Sequence, residues 1–230
     1  MELINPELES YAEEHTSEEL PVLAKLNRET HLTQVYPRML SGHMQGTFLR
    51  MISRMLKPFR ILEIGTFTGY SAINLAAGLT DRPVADIGEA GNRAVLHTIE
   101  VDPELELMIR KYFQEAEIED KVRLHIGEAI AIIPTLEETW DLVFIDADKP
   151  NYLNYYKLII DRLSPGGIVI ADNALWDGKI LDPSPRSKDT HGIMEFNDFV
   201  QHDERVENVL LTVRDGMMMV RKVNQACLLK

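Results

Sequence analysis

A single cysteine, Cys227, stands in a chain of 230 residues, which excludes an internal disulfide and any cysteine-built zinc site. The seven histidines include no pair three or four residues apart, the spacing that zinc-binding helices use. Basic charge is also in short supply: 24 Lys and Arg against 37 Asp and Glu give a formal net charge of −13. Such a balance repels phosphate backbones and anionic bilayers, so neither nucleic acid nor a membrane is expected as a partner. No apolar run approaches transmembrane length, and Met1 to Glu7 offers neither the basic flank nor the apolar core of a signal peptide. A soluble, unprocessed, cytoplasmic protein is the expectation. Internal repeats and low-complexity tracts are absent too, and 45% hydrophobic residues suffice for one substantial core, so residues 1–230 are read as one α/β domain.

What the chain does carry is a pair of short, unbroken apolar runs, Leu142 to Ile145 and Ile168 to Ala171. Strands buried on both faces of a parallel sheet read this way. Between them Tyr155, Leu158, Ile159 and Leu163 recur at helical spacing, and Pro165-Gly166-Gly167 is expected to end the helix, giving strand, crossover helix and parallel strand. Each run ends in oxygen-bearing side chains: Asp146 after the first, Asp172 and Asn173 after the second. Ligands bind at that carboxyl edge of open α/β sheets. Two carboxylates and a carboxamide form a hard, all-oxygen set that suits Mg²⁺, with Ca²⁺ or Mn²⁺ as alternatives, rather than zinc or copper. Either pair alone reads equally well as a turn cap. Lys149 favours the metal reading, because an amine so close to Asp146 can hold or remove the proton of a substrate hydroxyl. Pro150 bars Lys149 from helical geometry and opens the next helix, so Lys149 is expected in an extended link.

A second signal is the turn Glu63-x-Gly65-x-x-x-Gly69 between a strand at Ile61 to Ile64 and a helix from Ser71. Its glycines let backbone approach a ligand, and the helix N-terminus favours a carboxylate or phosphate. The spacing differs from the Gly-x-Gly-x-x-Gly of dinucleotide enzymes. The next strand, Leu96 to Glu100, ends in an acidic residue that can accept hydrogen bonds from both hydroxyls of a ribose. Asp102-Pro103 then caps a helix with an apolar stripe of Leu105, Met108, Ile109, Tyr112, Phe113 and Ala116.

The remaining elements follow from turn and cap signals. Asn5-Pro6 reads as a helix start, and Thr16 with Glu19 as a capping box. Residues 36–46 break the helical pattern and make a candidate lid, containing His43, before an amphipathic helix from Thr47 to Leu56. Leu79 to Val95, with Pro83, Gly88 and Gly91, is expected to be a mobile loop, and Val122 to Ile126 a third strand. Lys179 to Asp189 reads as an exposed loop and Ile193 to Val200 as a helix. Strands at Val209 to Val213 and Met217 to Val223 are joined by the hairpin signal Asp215-Gly216, with Met217 to Met219 as packing residues.

Ile145-Asp-Ala-Asp-Lys-Pro-Asn-Tyr152, followed by Ile170-Ala-Asp-Asn-Ala-Leu-Trp-Asp-Gly-Lys179, resembles the metal-dependent O-methyltransferases of the catechol and caffeoyl-coenzyme A type. The resemblance extends over roughly residues 35–223 in motif order. It implies a Rossmann-like methyltransferase core at 57–230, with 1–56 forming N-terminal helices and a lid. The core would be a mostly parallel seven-stranded sheet with an antiparallel C-terminal hairpin strand and helices on both faces. It implies S-adenosylmethionine as cosubstrate, contacted by Met39, Gln45, Glu63, Gly65, Gly69, Tyr70, Ser71, Glu100, Gly127, Ala129 and Asp146. Gln45 stands where the family commonly has glutamate, so a neutral hydrogen bond replaces an ionic contact. Asp146, Asp172 and Asn173 map onto the metal ligands and Lys149, with Asp146, onto the catalytic positions. Ser41, Lys149 and Trp176 would face the substrate, Trp176 as an apolar wall for a flat ring.

The reaction implied is methyl transfer to a small aromatic with two adjacent hydroxyls. Arg186 and Lys188 could meet an anionic tail such as coenzyme A, but a free small catechol is the favoured acceptor. A homodimer is expected from the resemblance and because symmetric dimers are the commonest assembly. Two rivals share part of the pattern. A nicotinamide dehydrogenase would use the glycine turn and Glu100 but leaves Asp146, Lys149, Asp172 and Asn173 unexplained. A non-catalytic S-adenosylmethionine-binding module would not need those four together.

Overall fold

The computed structural model describes residues 5–82 and 93–223. The chain divides into two compact units, Pro6–Glu128 and the part from Ala129 onward.

In the first unit, α1 (Pro6–Glu14) and α2 (Pro21–Thr33) both begin on proline, whose missing N–H is no loss in a first turn. The expected capping box does not form. The Thr16 hydroxyl donates back to the Ala12 carbonyl at 2.7 Å, closing α1, and α2 starts after Leu20 with no side-chain cap. A one-turn 3₁₀ segment, Pro37–Met39, precedes α3 (Gly42–Leu56), so the helix begins at Gly42 and the expected lid is shorter than 36–46. The reason lies at Gly46, which serves close packing rather than a break: a Cβ there would stand 2.6 Å from the Tyr70 ring and 2.7 Å from the Asn74 amide. His43, within α3, bonds the Ser17 carbonyl through Nε2 at 2.7 Å. Then come β1 (Arg60–Ile64), α4 (Tyr70–Ala76), β2 (Val95–Glu100), α5 (Glu106–Glu115) and β3 (Val122–Ile126). β1 and β3 both lie parallel to β2, with Ile64 beside Ile99 and Glu100 beside Ile126. The stripe on α5 is buried at Ile109, Tyr112 and Phe113, as its spacing predicts. Residues 83–92 of the long link lie outside the described residues.

The second unit holds α6 (Ala129–Ile132), β4 (Trp140–Ile145), α7 (Tyr152–Ile159), β5 (Leu163–Ala171), α8 (Lys188–Gln201), β6 (Val206–Leu211) and β7 (Met217–Lys222). Leu142, Val143, Phe144 and Ile145 are all fully buried; removing each such side chain from water contributes about 1.5–3 kcal/mol before entropy is counted. Pro165-Gly166-Gly167 does not end the crossover helix. α7 stops at Ile159, and the three residues lie inside β5, where the register jumps from Trp140 beside Leu163 to Leu142 beside Ile168. Gly166, at φ 79°, takes the bend, as glycine does in a bulge. β7 runs antiparallel to both β5 and β6. α8 extends to both sides of the segment that the apolar pattern predicts, starting on a Ser187 cap that accepts the Asp189 N–H.

The seven strands follow the order β3-β2-β1-β4-β5-β7-β6 in one sheet, the mostly parallel arrangement with one antiparallel strand that the sequence implies. Among the described residues no helix is long and apolar enough to cross a membrane.

Candidate functional site

In the first unit the chemistry-bearing residues gather after β1 and β2. Gly65, at φ 98°, donates its N–H to the Ile99 carbonyl at 3.0 Å, and Gly69, at φ 95°, donates to Thr66 at 2.9 Å. Only glycine adopts such angles without strain, and at Gly69 a Cβ would also come within 2.9 Å of the Phe113 ring. Glu100 braces the turn. Its buried carboxylate accepts the Phe67 N–H at 2.7 Å and the Asp102 N–H at 2.9 Å, and Gly127, at φ 144°, donates to its carbonyl at 2.8 Å. Burial raises the Glu100 pKa above the usual carboxylate range, while those backbone donors pull the other way.

Glu63 is fully buried and accepts the Thr98 hydroxyl at 2.5 Å, tying β1 to β2. Tyr70 and Ser71, at the start of α4, are buried, as are Gln45 and Ser41 on α3 and just before it. The Tyr70 hydroxyl donates to Glu19 at 2.5 Å. Met39 differs from these, with 59% of its surface exposed.

In the second unit, Asp146 and Asp172 leave neighbouring strands one step beyond the ladder, for the Asp172 N–H still donates to the Ile145 carbonyl at 2.9 Å. Lys149 is not in an extended link. Asp148 is the extended residue, and Lys149 opens a 3₁₀ turn, Lys149–Asn151, which a residue preceding proline can do when the turn is this short. The residue is only 8% exposed. The ammonium donates to Asp146 Oδ1 at 3.0 Å and to the Tyr152 hydroxyl at 2.7 Å, and lies 5.6 Å from the Trp176 ring centroid. Tyr152 is fully buried, and burial followed by the charges of Asp146 and Asp172 holds its hydroxyl well above its usual pKa. Both carboxylates therefore act on the charge of the Tyr152 hydroxyl. Ala129 is buried at the head of α6.

The loop after β5 is held in unusual geometry. Asn173, Trp176, Asp177 and Gly178 all have positive φ, at 57°, 48°, 53° and 74°. The β6–β7 turn clasps this loop: Ala174 and Leu175 N–H groups donate to the carbonyls of Gly216 and Asp215, both at 2.9 Å. The Asp215 carboxylate accepts the Asn173 Nδ2 at 3.1 Å and the Asp177 N–H at 2.5 Å.

Among the described residues no three His, Cys, Asp or Glu side chains gather into a metal cluster; the candidate donors are two carboxylates and one amide. Hard oxygens fit a hard divalent ion, and the Asn173 nitrogen is committed to Asp215, which turns its oxygen end away from that carboxylate. Sequence reasoning assigned no role to Tyr152, Gly192 or the side chain of Asp215. Tyr152 sits inside the quoted motif, and its spacing from Lys149 was the available signal.

A protein-family model described as O-methyltransferase matches residues 13–223. Catechol O-methyltransferase domain-containing protein 1 of Mus musculus is 35% identical over 184 residues, 78% of this chain and 66% of that protein. Caffeoyl-CoA O-methyltransferase 1 of Eucalyptus globulus is 32% identical over 191 residues, 78% of this chain and 73% of its own. The O-methyltransferase TomG from Streptomyces achromogenes, solved in complex with SAM, has a TM-score of 0.83 at 26% identity, covering 95% of this chain and 96% of that one. The fold is therefore that of a Rossmann-like, S-adenosylmethionine-dependent methyltransferase. More narrowly, the chain belongs to the O-methyltransferase family, of the caffeoyl-CoA and catechol type. The dehydrogenase and the non-catalytic module fall away with that membership.

Proposed function

We propose that this enzyme methylates one hydroxyl of a small catechol-like aromatic, with a divalent cation, Mg²⁺ before Ca²⁺ or Mn²⁺, held by Asp146, Asp172 and Asn173. The observation that carries the reading is the buried Lys149 ammonium, shared between Asp146 and the Tyr152 hydroxyl beside the Trp176 ring. A lysine so enclosed is costly unless it serves chemistry or a buried ion pair. When bound, the cation would lower the pKa of a vicinal hydroxyl and fix both oxygens.

The chain's own residues do the rest. Trp176 offers a flat apolar face to the ring, and Lys149, as the neutral amine, takes the phenolic proton on its nitrogen and, as the ammonium so formed, stabilises the oxyanion. The oxygen then attacks the methyl carbon in line, the carbon–sulfur bond breaks with its electron pair going to sulfur, and a neutral thioether leaves. Positioning supplies much of the acceleration in such a displacement. On the cosubstrate side, the Gly65 to Gly69 turn, Tyr70, Ser71, Gly127 and Ala129 would bound the ligand, with Glu100 meeting the ribose and Met39, Gln45 and Glu63 the methionine part.

The test is a methylation assay on purified protein with a free catechol and, separately, a coenzyme A ester of a dihydroxy acid. EDTA is expected to abolish turnover, Mg²⁺ to restore it, and S-adenosylmethionine binding by calorimetry to persist throughout. Unchanged turnover in EDTA would remove the metal from the mechanism. A preference for the ester would move the acceptor to the caffeoyl-CoA side of the family.

A further inference from the structure

We propose that Asp215, on the turn between β6 and β7, is a positioning residue that selects the orientation of the Asn173 amide and so decides which of its ends meets a cation. The inference rests on the reading of Asn173 as a metal ligand. An amide carries an oxygen that can bind a hard cation and a nitrogen that cannot, and nothing in its shape distinguishes the two ends. A carboxylate only accepts hydrogen bonds. Asp215 Oδ2, 3.1 Å from Asn173 Nδ2, therefore admits only the NH₂ end and sends the oxygen the other way.

The carboxylate is itself fixed. Its second oxygen accepts the Asp177 N–H at 2.5 Å, and its backbone carbonyl accepts the Leu175 N–H at 2.9 Å. Gly216 lets the turn come this close: at φ 83°, a Cβ there would stand 2.4 Å from Leu175 Cγ and 2.8 Å from its backbone nitrogen. Turn and loop thus meet as one rigid clasp, with Asn173 in the left-handed region that asparagine tolerates.

Asp215→Asn is the discriminating variant, since it keeps shape and still has an oxygen for the Asp177 N–H. Its own NH₂ then faces Asn173, which must flip its oxygen toward position 215 and its nitrogen toward the cation. Outer partners of metal ligands typically affect affinity by about 10- to 100-fold. Mn²⁺ titration of the full chain, followed by electron paramagnetic resonance of the free ion, is expected to show a loss of about that size. S-adenosylmethionine affinity and the melting temperature without metal should match the parent, which verifies folding. Asn173→Asp combined with Asp215→Asn restores a donor facing an acceptor and is expected to recover most of the Mn²⁺ affinity. Parent-like Mn²⁺ affinity in Asp215→Asn, with Asp172→Ala losing the ion, would overturn the orienting role alone. Absence of Mn²⁺ binding by the parent chain would overturn both this proposal and the metal reading beneath it.

Discussion

Lys149 joins more of the chemistry than any other side chain in the second unit. Its nitrogen is within 3.0 Å of Asp146 and 2.7 Å of Tyr152, and Trp176 lies beside it. Lys149→Met keeps the length and apolar stem but deletes the charge and the proton acceptor. We expect kcat to fall by about 10² to 10⁴, the range of a general acid–base group, with S-adenosylmethionine affinity unchanged. Single-turnover kinetics with saturating cosubstrate would measure this, and a parent-like rate would take Lys149 out of the reaction. At this scale the sequence was informative wherever a residue's type dictates its use. The placement of Asp146, Asp172 and Asn173 just beyond neighbouring strands was readable because two unbroken apolar runs end there, whereas the roles given to them and to Lys149 rest on the resemblance. Asp215 was not readable, because Asp-Gly at a hairpin has a sufficient local explanation, and its bond to Asn173 spans a long stretch of chain.

Among the elements, α8 has the closest hold on the lysine turn. Gly192 lies against it so tightly that a Cβ would be 2.4 Å from the Lys149 carbonyl oxygen and 2.7 Å from Pro150 Cα. Both neighbours are backbone and cannot rotate away. Gly192→Ala is expected to destabilise the protein by about 1–3 kcal/mol, as overpacking does, and to lower kcat by shifting Lys149, since displacements near 1 Å can cost about 10²-fold. Differential scanning calorimetry and steady-state kinetics on one preparation would test this; a lowered melting temperature with parent-like kcat would show that the turn holds its place without α8.

Elements with strong periodicity, such as β4, β3 and α5, were legible from sequence almost to their ends. Glycine caused two of the errors. Gly46 reads as a break but packs inside α3, and Gly166-Gly167 reads as a helix stop but forms a bulge in β5. In each case a partner distant in sequence, rather than local propensity, determines what the missing side chain is for.

For the whole molecule the formal charge of −13 directs attention to acid stability. The stacked pair His97 and His125, on β2 and β3, has ring nitrogens 3.0 Å apart. Burial, with the His125 charge second, pushes His97 down from 6.5 to about 4, and burial lowers His125 as well. A folded pKa below the unfolded one means that the stability contribution is complete above pH 6.5 and is lost as the pH falls through about 4. After allowance for the ring's partial exposure, the loss is about 2 kcal/mol. Carboxylates held low, such as Asp203 by its Arg205 hydrogen bond and Glu29 by Lys111, lose their contribution only at lower pH. Urea midpoints measured from pH 7 to pH 4.5 are therefore expected to fall more steeply in the parent than in His97→Gln, which keeps the smaller His125 contribution; parallel curves would place the acid sensitivity elsewhere.

Gly192 also constrains how such a chain can change over generations. Position 192 has no neutral step, because the smallest addition meets the backbone of the lysine turn. Any side chain at 192 pushes on Lys149–Asn151, so helix and turn are sterically coupled although some forty residues separate them.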